Sequence, residues 1–187
     1  MFFMKNLRFK KLNIDEFYEI YQDMETQFPK NELKSYDVFV KLLNTDVLDC
    51  VGVYDKDYLV AYFLYVSLEN GRKWLEYIAV RKEFHSKGYG SKIMQCLKNC
   101  YLEVEKPNIS LPDTIRRIDF YKALGAKKLG VNYIYPNDFG GLPMDLYYIG
   151  ENSPCYEEVI GVIEEIFNKL HSDVKSMPQI LQSIKLS

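Results

Sequence analysis

The chain has 187 residues, 48% apolar and 27% charged, the balance of a folded globular protein rather than a fibrous or low-complexity one. That length fits one ordinary domain around one main core. Its 24 Lys and Arg against 26 Asp and Glu leave a formal charge of −2, which excludes the broad positive field that non-specific nucleic-acid or anionic-membrane binding needs.

The opening Met-Phe-Phe-Met-Lys-Asn-Leu-Arg lacks a basic segment followed by a long apolar run, so no cleaved secretory signal and a cytoplasmic location are expected. No apolar run approaches the roughly 20 residues of a membrane-spanning helix. Asn6–Leu12 reads as a first strand, and Asn13 as the N-cap of an amphipathic helix with Ile14, Phe17, Tyr18, Ile20 and Tyr21, ended by Pro29. A second helix from about Ser35 carries Val38, Phe39 and Leu42. Three strands follow, Leu48–Tyr54, Tyr58–Ser67 and Lys73–Val80, joined by the polar turns Asp55-Lys56-Asp57 and Glu69-Asn70-Gly71 into an antiparallel meander.

A glycine loop then opens a helix through Ile93, Met94, Leu97 and Tyr101, followed by a short strand, Tyr101–Val104. A further helix over about Thr114–Leu124 stops at Gly125, where a positive φ is favoured. Lys127–Tyr135 and Leu142–Ile149 read as closing strands. In 151–187, Val159, Ile160, Ile163, Ile166, Phe167 and Leu170 form one apolar helical face, and Pro178 precedes a shorter helix with Ile180, Leu181 and Ile184. That extension covers either the same domain or a homodimer interface. Cys50, Cys96, Cys100 and Cys155 form no Cys-x-x-Cys pair, and only His85 and His171 accompany them, so neither a metal site nor a disulfide framework is expected. Cys96 and Cys100 are expected on one helix face, as small packing residues.

Leu75 to Met94 is the informative stretch: a strand, a loop with Gly88 and Gly90, then a helix. The glycines let the backbone turn tightly, and the unpaired amides at the helix start favour an anion such as a pyrophosphate. Three phosphate-binding readings compete. A dinucleotide fingerprint needs a third glycine where Ile93 stands, and no G-x-x-x-x-G-K-[ST] string occurs. The remaining one is a coenzyme A pyrophosphate loop.

Here His85-Ser86-Lys87-Gly88-Tyr89-Gly90 resembles the R/Q-x-x-G-x-G/A signature of the GNAT-type N-acetyltransferase superfamily. Glu76-Tyr77-Ile78-Ala79-Val80 resembles that family's fourth strand, Leu102-Glu103-Val104-Glu105 its fifth, and Arg116 to Ala126 its late helix. The resemblance spans about Leu7–Tyr148. The chain departs from the pattern at His85 for Arg or Gln, at Ala126 for Phe, and at Thr114 where many members carry Asn.

The resemblance implies an α/β fold with a mixed, mostly antiparallel central sheet flanked by helices. It implies an acetyl-CoA-binding domain over 1–150 and a C-terminal helical extension over 151–187. The activity implied is direct acetyl transfer from acetyl-CoA to an amine of a small molecule or peptide. A non-catalytic acyl-CoA sensor or interaction module is the alternative, and a nucleotide-binding regulator a third. The amides of Ser86, Lys87, Gly88, Tyr89, Gly90 and Ser91 would hold the pyrophosphate, with Lys87 and His85 adding contacts. The backbones of Ile78, Ala79 and Val80 would take the pantetheine arm, with an amide near Ala79–Val80 stabilising the oxyanion. Thr114, Arg117, Phe120 and Tyr121 complete the implied cofactor set.

An alkyl ammonium, titrating near roughly pH 10, must lose a proton before it attacks. By resemblance, Glu76 is the candidate base and Tyr121 the candidate acid; the other readings are an ion-paired or solvated Glu76 and a packing Tyr121. No G-x-S-x-G elbow and no cysteine in the glycine loop support a covalent route. Glu25-Thr26-Gln27-Phe28-Pro29-Lys30-Asn31-Glu32 resembles an E-x-x-F-P-x-x-E pattern of some bacterial members. This makes Glu25, Phe28, Glu32, Glu76 and Glu103 the acceptor-pocket candidates, while Tyr133 and Tyr135 fit either a pocket lining or a sheet face.

Overall fold

The computed structural model describes residues 7–137 and 140–185. The chain divides into two compact units, one of Met1–Val66 with Leu75–Cys96 and one of Ser67–Trp74 with Leu97–Ser187.

In the first unit, β1 (Arg8–Lys11) pairs antiparallel with β2 (Asp49–Asp55), and β2 antiparallel with β3 (Tyr58–Ser67). Next to β3 runs β4 (Lys73–Val80). The turn between β2 and β3 places Lys56 at φ +56°, and the ladder shifts register between Val53 and Tyr54. The expected meander is present, and Asn6 lies outside the described residues.

α1 (Ile14–Gln27) begins with a complete capping box. The Asn13 side chain accepts from the Glu16 amide at 2.9 Å, while Glu16 accepts from the Asn13 amide at 3.2 Å. Phe17, Ile20 and Met24 recur at helical spacing and are buried. α2 (Tyr36–Asn44) follows Ser35 and buries Phe39 and Leu42. The two helices meet through rings: Phe17 lies 5.4 Å from Phe39, and Tyr36 stacks on Phe17 at 6.0 Å.

In the second unit, β5 (Cys100–Glu105) pairs antiparallel with β8 (Leu142–Ile149), from Cys100 opposite Ile149 to Glu105 opposite Met144. α4 (Pro112–Ala123) starts with proline in its first turn and ends before Gly125, at φ +88° as expected. α5 (Tyr156–Leu170) buries Val159, Val162, Ile163, Ile166, Phe167 and Leu170. α6 (Met177–Lys185) buries Ile180 and Ile184. α5 packs within this unit, with Phe167 6.1 Å from Tyr133 and Glu158 ion-paired to Arg72 at 3.2 Å.

Three expectations are corrected. The strand read over Lys127–Tyr135 is two short pieces, β6 (Lys127–Lys128) and β7 (Ile134–Tyr135), both on β8. Leu129 donates to Leu146 O at 2.8 Å, and Tyr133 O accepts from Met144 at 3.1 Å. Gly130, Val131 and Asn132 therefore face only Asp145, and the surplus residues leave the ladder. The helix after the glycine loop, α3 (Tyr89–Cys96), stops short of Leu97 because Asn99 turns left-handed at φ +54°, so Cys96 ends a helix while Cys100 opens β5. Pro178 stands inside the first turn of α6, where its missing N–H leaves no helical bond unmade. No helix among the described residues is long and apolar enough to cross a membrane.

Candidate functional site

The glycine loop belongs to the first unit. β4 ends at Val80, a single 3-10 turn covers Lys82–Phe84, and Ser86 and Gly88 then adopt left-handed backbone at φ +60° and +79° before α3 begins. Lys92 N donating to Gly88 O at 3.3 Å is an opening bond of α3, so Tyr89, Gly90 and Ser91 enter the helix without intrahelical acceptors for their amides. Successive amides turned by left-handed residues at a helix start form an anion-binding concavity. The residues present therefore fit a pyrophosphate.

Side chains brace this loop. The His85 ring donates from Nε2 to Val80 O at 2.7 Å, which ties the loop back to the end of β4. Lys87 donates to Glu83 O at 2.9 Å and sits 4.9 Å above the Phe84 ring. Phe84 packs edge-on against Tyr89 at 6.0 Å. The Tyr89 hydroxyl donates to Asp55 at 2.7 Å, and that bond with burial pushes its phenol up to about 12.

Along β4 the side chains alternate, with Leu75, Tyr77 and Ala79 buried on one face and Glu76, Ile78 and Val80 on the other. The Glu76 side chain is 1% exposed and its Oε1 accepts from Lys34 Nζ at 2.9 Å; Lys34 is itself 9% exposed. Tyr77 donates to Glu32 O at 2.6 Å and packs edge-on against Phe28 at 5.1 Å. Phe28 and the Glu32 carbonyl thus meet Tyr77, while Glu76 meets Lys34. Glu25 is exposed on α1, where its charge helps hold the Tyr21 phenol above its ordinary value, behind the larger effect of burial.

The second unit holds the remaining candidates. Thr114 is buried and caps its own turn, donating to Leu111 O at 2.8 Å and accepting from the Asn108 amide at 3.0 Å. Arg117 is ion-paired with Glu105. Phe120 lies 5.3 Å from the ring of Tyr121, whose phenol burial pushes up to about 12, so it keeps its proton at neutral pH. Glu103 receives the hydroxyl of the buried Tyr133.

Sequence reasoning missed Lys34, Asp23 and Tyr62. Asp23 on α1 accepts from the Tyr62 hydroxyl at 2.8 Å and from Gln27 at 2.5 Å, and burial, reinforced by that carboxylate, raises the Tyr62 phenol. The available signal was a tyrosine among apolar residues in the centre of Tyr58–Ser67, whose hydroxyl had to find an acceptor.

The acetyltransferase (GNAT) family model matches residues 14–126, and the chain belongs to that family. It is an acyltransferase of GNAT type. No curated protein matches it. Among solved structures, a Bacteroides thetaiotaomicron protein assigned to the GNAT family superposes with a TM-score of 0.74 at 21% identity, over 86% of this chain and 96% of that one. A chimeric spermidine N-acetyltransferase from Vibrio cholerae gives 0.58 at 15% identity, over 76% and 94%. An Escherichia coli N-acetyltransferase for an alanine of a ribosomal protein gives 0.53 at 15%, over 79% and 97%. The shared fold is a mixed, mostly antiparallel sheet flanked by helices, here followed by α5 and α6.

Proposed function

We propose that the protein transfers an acetyl group from acetyl-CoA directly to a primary amine of a small molecule or peptide. The observation that carries this reading is the loop from His85 to Ser91, with two left-handed residues immediately ahead of α3. Acetyl-CoA, when bound, supplies an activated acetyl thioester. The amides from Ser86 to Ser91 hold its pyrophosphate, and the backbones of Ile78, Ala79 and Val80 orient the pantetheine arm. An amide at Ala79–Val80 steadies negative charge growing on the carbonyl oxygen.

Glu76 takes the proton that the acceptor amine must lose, and Lys34 Nζ fixes the orientation of its carboxylate. Tyr121 Oη gives its proton to the departing sulfur; the raised phenol is protonated across the whole neutral range. Both roles are read by thiol release under saturating donor and amine. Tyr121→Phe is expected to keep acetyl-CoA affinity while kcat falls by about 10²–10⁴-fold, and unaltered turnover removes Tyr121 as the acid. Glu76→Gln is expected to cut kcat over the same range of about 10²–10⁴-fold. A Glu76→Gln enzyme with wild-type kcat places the base elsewhere.

A further inference from the structure

We propose that Asp23 is the carboxylate that seats the ammonium group of the acceptor, a role that rests on the amine-transfer reading above. Its Oδ2 is fixed by two donors, the Tyr62 hydroxyl at 2.8 Å and Gln27 Nε2 at 2.5 Å, while Oδ1 accepts no hydrogen bond among the described residues. The anchor is rigid because Tyr62 is wholly buried on β3. β3 is hydrogen-bonded to β4, and beyond the end of β4 Arg81 N donates at 2.9 Å to the carbonyl of Val60, two residues before Tyr62 on β3. Asp23 is therefore tied through Tyr62 to the strand that neighbours β4.

Charge accounting singles out the same residue. Glu76 is matched by Lys34 at 2.9 Å. Glu19 holds Arg81 Nη1 at 2.7 Å, with Glu83 3.7 Å from Arg81 Nε. Arg81 and Asp23 feel one another's charge, yet no lysine or arginine lies within ion-pair distance of Asp23 among the described residues. Of Glu19, Glu76, Glu83 and Asp23, Asp23 is the one with no ion pair among the described residues, which leaves its Oδ1 for a ligand. A hydroxyl acceptor for Tyr62 alone needs no charge, since an asparagine oxygen serves equally.

Asp23→Asn separates the two roles, because it preserves an acceptor for Tyr62 and removes the charge. The full-length protein is assayed by thiol release with acetyl-CoA and a panel of benzylamine, tyramine, putrescine and glycinamide, with aniline as an amine that is neutral at the assay pH. For the amine turned over best, Asp23→Asn is expected to raise KM by about tenfold or more, with kcat and the acetyl-CoA KM near wild type. Asp23→Glu is expected to recover part of the loss, and the response to aniline to be unchanged. Should the asparagine variant lose its thermal transition, Tyr62→Phe frees Oδ2 from one donor and is expected to raise the amine KM alone. An unchanged amine KM in either folded variant, or a parallel rise in acetyl-CoA KM, overturns the assignment of Asp23. A wild-type enzyme stabilised by acetyl-CoA but silent on every amine overturns the amine-transfer reading and this seat together.

Discussion

Lys34→Met is expected to lower the unfolding free energy by about 3–5 kcal/mol, because it strips a buried carboxylate of its cation. The Lys34 and Glu76 side chains are 9% and 1% exposed and 2.9 Å apart, so water screens little of their attraction and does little to replace either partner. Both had to leave water for the pair to form, and the net worth of such a pair relative to apolar residues is small. The asymmetry is the measurable quantity. The single variant leaves the desolvation cost of Glu76 and removes what offset it, whereas Lys34→Met with Glu76→Leu removes both charges and is expected to recover most of the loss. The backbone bond from the Tyr21 hydroxyl to Lys34 O is untouched by either change. Urea melts of the wild type, the single and the double variant decide the matter. A single-variant loss below about 1 kcal/mol, the range of exposed pairs, contradicts the burial argument, as does a double variant less stable than the single one.

The second large effect belongs to the glycine loop. Gly88→Glu is expected to abolish stabilisation by acetyl-CoA and free CoA, and with it transfer. Gly88 stands at φ +79°, a conformation that costs an L-residue about 1–2 kcal/mol, and the new carboxylate repels a pyrophosphate at the start of α3. At about 100 times its dissociation constant a ligand stabilises the folded state by roughly 2.7 kcal/mol, or about 5–10 °C in Tm for a chain of this size. Gly88→Ala imposes the backbone strain without the charge, so it is expected to lower Tm slightly and to retain part of the ligand response. If Gly88→Glu still responds fully to CoA, the phosphate site is not in this loop. ATP and NAD serve as controls, and a shift with either in place of CoA assigns the loop to a different nucleotide.

The elements legible in the chain were those fixed by near neighbours. Asn13 marks the start of α1, and of the residues read on its apolar face Phe17 and Ile20 are buried, whereas Tyr18 is exposed and Met24, outside that reading, is buried. Tyr58–Ser67, Lys73–Val80 and Leu142–Ile149 are read directly as the strands that form, and the spacing from Gly88 to Gly90 after a strand marks the loop and the family. The misread pieces lie where distant backbone overrides local pattern. Lys127–Tyr135 has strand composition throughout, yet pairing at Leu146 and again at Met144 leaves Gly130, Val131 and Asn132 without partners in the ladder.

Within the site, sequence determined which residue types stand in the loop, on β4 and on α4, and hence the acyl-transfer chemistry of the family. Only the tertiary structure decided how their charges are matched. Lys34 and Glu76 are 42 residues apart in the chain, and Asp23 and Tyr62 39. Hydrophobic periodicity reports which face of an element is buried; it carries no information on which polar groups of two different elements arrive opposite one another, because that depends on the register and packing of the finished fold. The same holds for His85, which sequence assigns to a phosphate loop and the folded backbone brings to the carbonyl of Val80.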